Sequence, residues 1–75
     1  MKKRFIIKAT GNGKEYYITT RNMQDLHFTP DIEDANKYHK PENVMDAINA
    51  IDKNPDPIYE NYYYQVIEVY TKLSV

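Results

Sequence analysis

The feature that most constrains the fold is an apolar stripe in the middle of the chain, bounded on both sides by prolines. Its four residues recur at helical spacing: Val44, Ala47, Ile48 and Ile51. Pro41 suits the first turn of a helix, and Asn54-Pro55-Asp56-Pro57 prevents the helix from continuing. The stripe therefore predicts one helix with a single buried side, which needs a second layer of structure to cover it.

Strand-forming sequences stand on both sides of this helix. Arg4 to Ala9 and Tyr16 to Thr20 are rich in apolar, aromatic and β-branched residues, and Thr10-Gly11-Asn12-Gly13-Lys14 between them has the composition of a hairpin turn. The segment Asn22 to Phe28 predicts a short third strand or an extended edge. Tyr62 to Leu73 predicts a long C-terminal strand, which we expect to pair with the first hairpin.

A second, shorter helix is predicted before the first one. Thr29 can cap it, Pro30 fits its first position, and acids follow in its first turn. Apolar residues from Ile32 onward then share a face over about two turns. We therefore expect a single α+β domain over residues 1–75, of order β-β-(β)-α-α-β, with both helices on one face of a small antiparallel sheet.

Composition limits how such a domain is stabilised and where it acts. At 75 residues the chain is one small domain of marginal stability, and it has no cysteine for a disulfide or a thiolate metal site. The apolar run near the basic N-terminus, Phe5-Ile6-Ile7, is too short for a signal peptide or a membrane span. We expect a soluble cytoplasmic protein without membrane association.

The net charge of −1 conceals an uneven distribution along the chain. Residues 1–21 hold six bases and one acid, whereas residues 22–75 hold four bases and ten acids. An asymmetry of this size predicts one positive face and one negative face on a small protein.

Patterns that would indicate catalysis are weak. The glycines of the hairpin turn precede a strand-like segment, whereas a phosphate-binding loop precedes a helix. His27 and His39 are the only imidazoles, and neither stands at a metal-ligand spacing. We therefore expect a protein that is not an enzyme and that has no catalytic residues, no cofactor and no metal.

Tyrosines are concentrated near the C-terminus, where five of the eight lie between residues 57 and 70. Alternation along a strand places Tyr63 with Ile67 and Val69 on the core side, and Tyr62, Tyr64 and Tyr70 on the other side. Tyr59 is expected to cover the end of the main helix. Four tyrosines form a predicted partner-binding surface, the tyrosine face: Tyr59, Tyr62, Tyr64 and Tyr70. Plain packing, a protein or self-association surface, and base stacking are the three explanations of this cluster.

An acidic stretch supplies a second predicted partner-binding surface. Between Asp25 and Glu60 the chain has nine acids and three bases. We expect six carboxylates on the helices to form an acidic layer outside the sheet: Asp31, Glu33, Asp34, Glu42, Asp46 and Asp52. Such a layer is either an ordinary solvated helical face or a surface that competes with nucleic acid for a basic protein channel.

The order of these segments resembles small accessory proteins of unknown function from phages of Gram-positive bacteria. The resemblance rests on four segments: Glu15-Tyr16-Tyr17-Ile18-Thr19, Phe28 to Tyr38, Glu42 to Ile51, and Gln65-Val66-Ile67-Glu68-Val69. It implies no catalytic residues. It implies the cytoplasm of an infected bacterial host, where such proteins often bind and redirect one host protein.

The leading hypothesis is thus a non-enzymatic phage-type protein that binds and inhibits a host macromolecule handling nucleic acid. An acidic, DNA-mimicking surface presented to a DNA-binding protein such as the sliding clamp is one route. The first alternative is a small nucleic-acid-binding module that uses the basic N-terminal hairpin and the tyrosines. The second is a structural protein that self-associates, as a homodimer, through an edge strand.

Overall fold

The computed structural model describes residues 2–20, 26–54 and 57–71. Its elements, in chain order, are listed here with their bounds: strand β1 (Lys2–Gly11), strand β2 (Lys14–Thr20), strand β3 (Leu26–Thr29), a first 3₁₀ turn (Ile32–Asp34), helix α1 (Pro41–Asp52), a second 3₁₀ turn (Pro57–Asn61) and strand β4 (Tyr63–Thr71). The predicted start of the third strand at 22–25 and the predicted end of the last strand at 72–73 lie outside the described residues.

The strands form one antiparallel sheet of order β3-β2-β1-β4. This arrangement confirms the α+β class, the N-terminal hairpin, the short third strand and the pairing of the C-terminal strand with the first. Asn12 and Gly13 form the two-residue hairpin loop with φ of 53° and 73°. Positive φ at both positions is the type I′ geometry, whose twist matches that of the flanking strands.

The prediction of two helices is not confirmed, because the described residues contain one α-helix. The segment after Pro30 forms only the first 3₁₀ turn, capped by the Asp31 side chain, which accepts the backbone N–H of Glu33 at 3.0 Å. Ala35 then leaves the helical region, with ψ of 142°. The backbone beyond Ala35 forms hydrogen bonds with two strands. A helix that continued past Ala35 would lose these hydrogen bonds.

That pairing places residues 36–38 between two strands. The N–H of Asn36 donates to the carbonyl oxygen of Ile18 on β2 at 3.1 Å. Phe5 on β1 exchanges two hydrogen bonds with Tyr38, at 2.9 and 2.8 Å. The chain therefore enters the gap where β1 and β2 separate, and long-range hydrogen bonds replace the local helix that the sequence favours.

The sheet is covered on both sides, because the adjacent residues Ile6 and Ile7 are both fully buried. Successive strand residues project to opposite faces. Ile7 lies on the helix face, defined here as the side where the core cluster packs against α1: Ile7, Ala9, Ile18, Val44 and Ile51. Ile6 lies on the far face, where it borders a groove with Ile32 of the first 3₁₀ turn. The first 3₁₀ turn and α1 thus lie on opposite sides of the sheet, contrary to the predicted single helical layer.

Among the described residues, no helix is long and apolar enough to cross a membrane.

Candidate partner-binding surfaces

The strand register places the C-terminal tyrosines differently from the prediction. Tyr64 is paired with Ala9 and therefore shares the helix face, where Tyr64 and Tyr62 both pack against the core cluster. Tyr63 is paired with Thr10 on the far face and is 68% exposed. The prediction that Tyr63 is core while Tyr62 and Tyr64 point outward is wrong.

The reason is that the buried side of β4 changes along its length. At its start the residue nearest the core is Tyr64, whereas Val66 and Tyr70, on the same face further along, are 42% and 62% exposed. Ile67 and Val69 are instead partly buried on the far face. The start of β4 is buried on the helix face and its later part on the far face, so one alternating pattern cannot assign the whole strand. Glu68 lies on the helix face beyond the buried start, and its charge therefore indicated the wrong side for Tyr62 and Tyr64.

Three members of the predicted tyrosine face pack inward, and two of them, Tyr59 and Tyr62, form an aromatic cluster with Phe28. The Phe28 ring centroid lies 4.7 Å from that of Tyr62 and 5.4 Å from that of Tyr59. The Tyr64 hydroxyl donates to the carbonyl oxygen of Tyr59 at 2.8 Å. Burial is the main cause that raises the pKa of Tyr64 to about 12. Tyr59, Tyr62 and Tyr64 are therefore packing residues.

The predicted position of Tyr59 at the end of the main helix is confirmed. Tyr59 borders a small cavity together with Ile51 and Asp52, the last residues of α1. Tyr70 is the member of the tyrosine face that stays exposed.

The six carboxylates of the acidic layer are all exposed, but they form two groups. One group lies at the first 3₁₀ turn near the far face: Asp31, Glu33 and Asp34. The other lies on α1, which packs on the helix face: Glu42, Asp46 and Asp52. Within the described ranges, neither group forms an ion pair with a base. The sheet separates the two groups, so they do not form the single layer that the sequence predicted.

Two bases of β1 are already engaged within the chain. Lys8 Nζ lies 2.7 Å from a Glu15 carboxylate oxygen, and this hydrogen bond is the main cause that raises the pKa of Lys8. Lys3 Nζ lies 3.2 Å from a carboxylate oxygen of Glu68. The basic hairpin therefore presents less free positive charge than its composition indicates.

The two histidines lie on different segments. His27 belongs to β3, and His39 lies between residues 36–38 and α1. In the part of the chain that the structure describes, no three His, Asp or Glu side chains are grouped so that they could hold a metal ion.

The edge of β4 that faces away from β1, called here the free edge, pairs with no other strand among the described residues, and the sequence indicated such an edge only as an alternative. Phe5 directs both its N–H and its C=O to Tyr38, away from β4. In an antiparallel ladder these directions alternate, so Arg4 and Ile6 direct their backbone groups to Val69 and Ile67 of β4. The residues between those of β4 direct theirs outward, to the free edge: Tyr64, Val66, Glu68 and Tyr70.

This edge has few of the features that normally prevent strand pairing. Its register with β1 is unbroken over nine residue pairs, and β4 contains neither proline nor lysine. Its one charged residue, Glu68, is paired with Lys3. Within the described residues, the opposite edge strand, β3, has four residues. The two edges of the sheet are therefore unequal, and the edge of β4 is the one suited to bind another strand.

A groove on the far face adjoins the end of β4. It has a volume of about 440 Å³ and is bordered by seven residues: Ile6, Ile32, Glu33, Lys37, Val69, Tyr70 and Thr71. Its walls are apolar strand residues and Ile32, and its rim carries one acid and one base. The Lys37 ammonium is held there by the carbonyl oxygens of Glu33 and Ala35, at 3.0 and 3.3 Å.

No protein-family model matches this chain, and no curated protein or solved structure matches it. The phage resemblance therefore stays a prediction.

Proposed function

We propose that this chain is a non-enzymatic binding protein that recognises another protein by pairing with one of its strands along the free edge of β4. The observation that carries the proposal is the row of outward backbone groups at Tyr64, Val66, Glu68 and Tyr70 on an unbroken nine-residue strand. An extended peptide satisfies such groups through main-chain hydrogen bonds, and pockets beside the edge select its side chains.

The exposed apolar side chains support the same surface. Five large hydrophobic residues are exposed among those described, and three of them lie on β4: Tyr63, Val66 and Tyr70. Tyrosine is enriched in protein interfaces because it offers a large contact area with few rotatable bonds. The concentration of such residues on one edge strand favours a protein partner.

The alternatives have less support. A DNA-mimicking surface needs carboxylates on one continuous face, whereas the two acidic groups lie on opposite sides of the sheet. A nucleic-acid platform needs free bases beside exposed aromatic rings, whereas Lys3 and Lys8 are paired with acids and Tyr62 and Tyr64 pack against the core. That the partner is a nucleic-acid-handling host protein stays a prediction.

The test uses a variant that blocks the edge without breaking the sheet. The N–H of Val66 points to the free edge, so Val66→Pro removes an outward donor but no hydrogen bond to β1. Val66→Ala is the matched control, since it shortens the same side chain and keeps the N–H. A synthetic peptide of alternating valine and threonine, as long as β4, serves as a neutral strand probe.

Nuclear magnetic resonance titration should show that the peptide shifts the amides of the four outward residues in the wild type and in Val66→Ala. The Val66→Pro variant should bind the peptide at least about tenfold more weakly. Binding should change little with salt, because no charge is neutralised. Equal binding by the proline variant, or shifts confined to α1, would contradict the proposal, and binding of single-stranded nucleic acid in place of the peptide would favour the platform alternative.

A further inference from the structure

The β4 edge is suited to a particular strand partner, namely β4 of a second copy. We infer that the chain forms a two-fold symmetric dimer in which two β4 strands pair antiparallel and join two four-stranded sheets into one. This inference rests on the proposed function, because it assigns the partner of the same edge.

One register satisfies every outward backbone group of the described strand. When Ile67 lies on the two-fold axis, Tyr64 is opposite Tyr70 of the second copy, and Val66 is opposite Glu68 of the second copy. All four outward residues then form hydrogen-bonded pairs, which supply about eight hydrogen bonds in total. Moving the axis to Val66 brings Tyr62, which lies outside β4, opposite Tyr70. The register centred on Ile67 therefore uses the edge completely.

Repulsion between carboxylates disfavours the register in which the axis moves the other way along β4, to Glu68. An axis at Glu68 would place two carboxylates directly opposite each other, which is destabilising. With the axis at Ile67, each Glu68 faces Val66 and keeps Lys3 of its own chain at 3.2 Å. The edge then carries no net charge, and two copies approach without repulsion from β4.

The side chains of the far face are also complementary in this register. Tyr63 lies opposite Thr71 of the second copy, and both project to the far face, since Thr10 and Lys2 are their partners on β1. Thr71 and Val69 border the groove of about 440 Å³. The ring of Tyr63, which is 68% exposed in the single chain, is thereby placed at the apolar groove of the other copy. The symmetry produces this contact twice.

The contact area predicts a weak dimer. Tyrosine side chains bury about 150–250 Å² each when fully covered, and Tyr63 and Tyr70 each have about two-thirds of that available. One strand edge with these rings falls short of the roughly 800 Å² per partner that is typical of stable complexes. We expect a dissociation constant on the order of micromolar or weaker, so dimers form as the concentration rises.

The register is tested with single cysteines, because the natural chain has none. Ile67 directs its backbone groups to β1, so two Ile67 residues on the axis form a non-hydrogen-bonded pair with Cα atoms about 4.5 Å apart. That distance lies within the range of about 4.4–6.8 Å that a disulfide spans. Ile67→Cys should therefore cross-link on mild oxidation. Gln65→Cys is the control, because the two Gln65 residues are four positions out of register and cannot reach each other.

Analytical ultracentrifugation over a concentration series completes the test. The wild type should shift from monomer to dimer, Val66→Pro should remain monomeric and Val66→Ala should dimerise. Tyr63→Ala should weaken the dimer at least about fivefold while it still binds the neutral strand peptide, because the peptide has no groove for the Tyr63 ring to occupy.

Three outcomes would overturn the dimer inference. A wild type that stays monomeric at millimolar concentration yet binds the strand peptide would refute the dimer and leave the proposed function intact. A monomer that also fails to bind the peptide would refute both. A dimer that survives Val66→Pro, or that cross-links equally through Gln65→Cys, would show that another surface or another register is used.

Discussion

Gly11 lies directly against the ring of Tyr62. A Cβ atom at Gly11 would stand 2.7 Å from Cδ1 of that ring and 2.7 Å from the carbonyl oxygen of Asn61. Gly11 shares the helix face with Ala9, so this close approach lets the Tyr62 ring reach the core. The absence of a side chain at Gly11, at the end of β1, therefore provides the space for the large ring of Tyr62, just before β4.

Gly11→Ala should destabilise the protein by about 1–3 kcal/mol, the usual cost of extra volume in a packed site. The Asn61 oxygen belongs to the backbone and cannot rotate away as a side chain can. Urea unfolding followed by tyrosine fluorescence measures the change. Thr10→Ala, the next residue along but on the far face, is the control and should cost clearly less. An unchanged midpoint for Gly11→Ala would contradict the tight contact.

The hairpin turn gives a prediction of a different kind, because Gly13 has free space around it. No heavy atom lies within 4 Å of an added Cβ, but φ is +73°. Gly13→Ala should therefore cost about 1–2 kcal/mol through backbone strain alone. Gly13→Asn should cost less, because asparagine tolerates the left-handed region. Equal destabilisation by both variants in urea unfolding would argue against a type I′ turn.

Burial on both faces of the sheet is tested by Ile6 and Ile7. Both are fully buried, but Ile7 belongs to the cluster under α1 whereas Ile6 lies beside the first 3₁₀ turn. We expect Ile6→Ala and Ile7→Ala each to cost about 2–5 kcal/mol. A far face open to solvent would make Ile6→Ala nearly neutral, and thermal unfolding distinguishes the two cases. Val66→Ala, on the exposed part of β4, should have a small effect on the melting temperature.

The hairpin, the main helix and the strand order could be predicted because local signals agree with the fold there. Asn12-Gly13 predicts the type I′ turn of the hairpin, and the apolar stripe that ends at Ile51 predicts α1. The helix predicted after Thr29 failed because residues 36–38 gain hydrogen bonds to Ile18 and Phe5. Those partners are distant in sequence, and no local pattern reveals them.

The candidate site was harder to predict than the fold. The side on which Tyr62 and Tyr64 lie depends on which part of β4 is covered by α1, and periodicity carries no such information. One signal was present: Gly11 in the adjacent strand has no side chain, and the Tyr62 ring lies against it. Which strand is the free edge follows from pairing order, so the outward groups at Val66 and Glu68 could be assigned only from the structure.

Burial of the Tyr64 hydroxyl should make stability fall at high pH. Burial and neighbouring groups raise the pKa of Tyr64 from 10.0 to about 12, so the folded state favours the neutral hydroxyl. Below a pH of about 10 both states keep the proton and the stabilisation is complete. Between about 10 and 12 the unfolded chain loses the proton before the folded chain does, so the free energy of unfolding decreases.

Tyr64→Phe should therefore lose about 1 kcal/mol at neutral pH, through the missing hydrogen bond to the Tyr59 carbonyl oxygen. Its further loss of stability between pH values of about 10 and 12 should be smaller than that of the wild type. Urea midpoints measured across this range test both statements. Tyr63→Phe, which removes an exposed hydroxyl from the neighbouring residue, is the matched control over the same pH range. A steep decline that is identical in Tyr64→Phe and in the wild type would assign the alkaline transition to other groups.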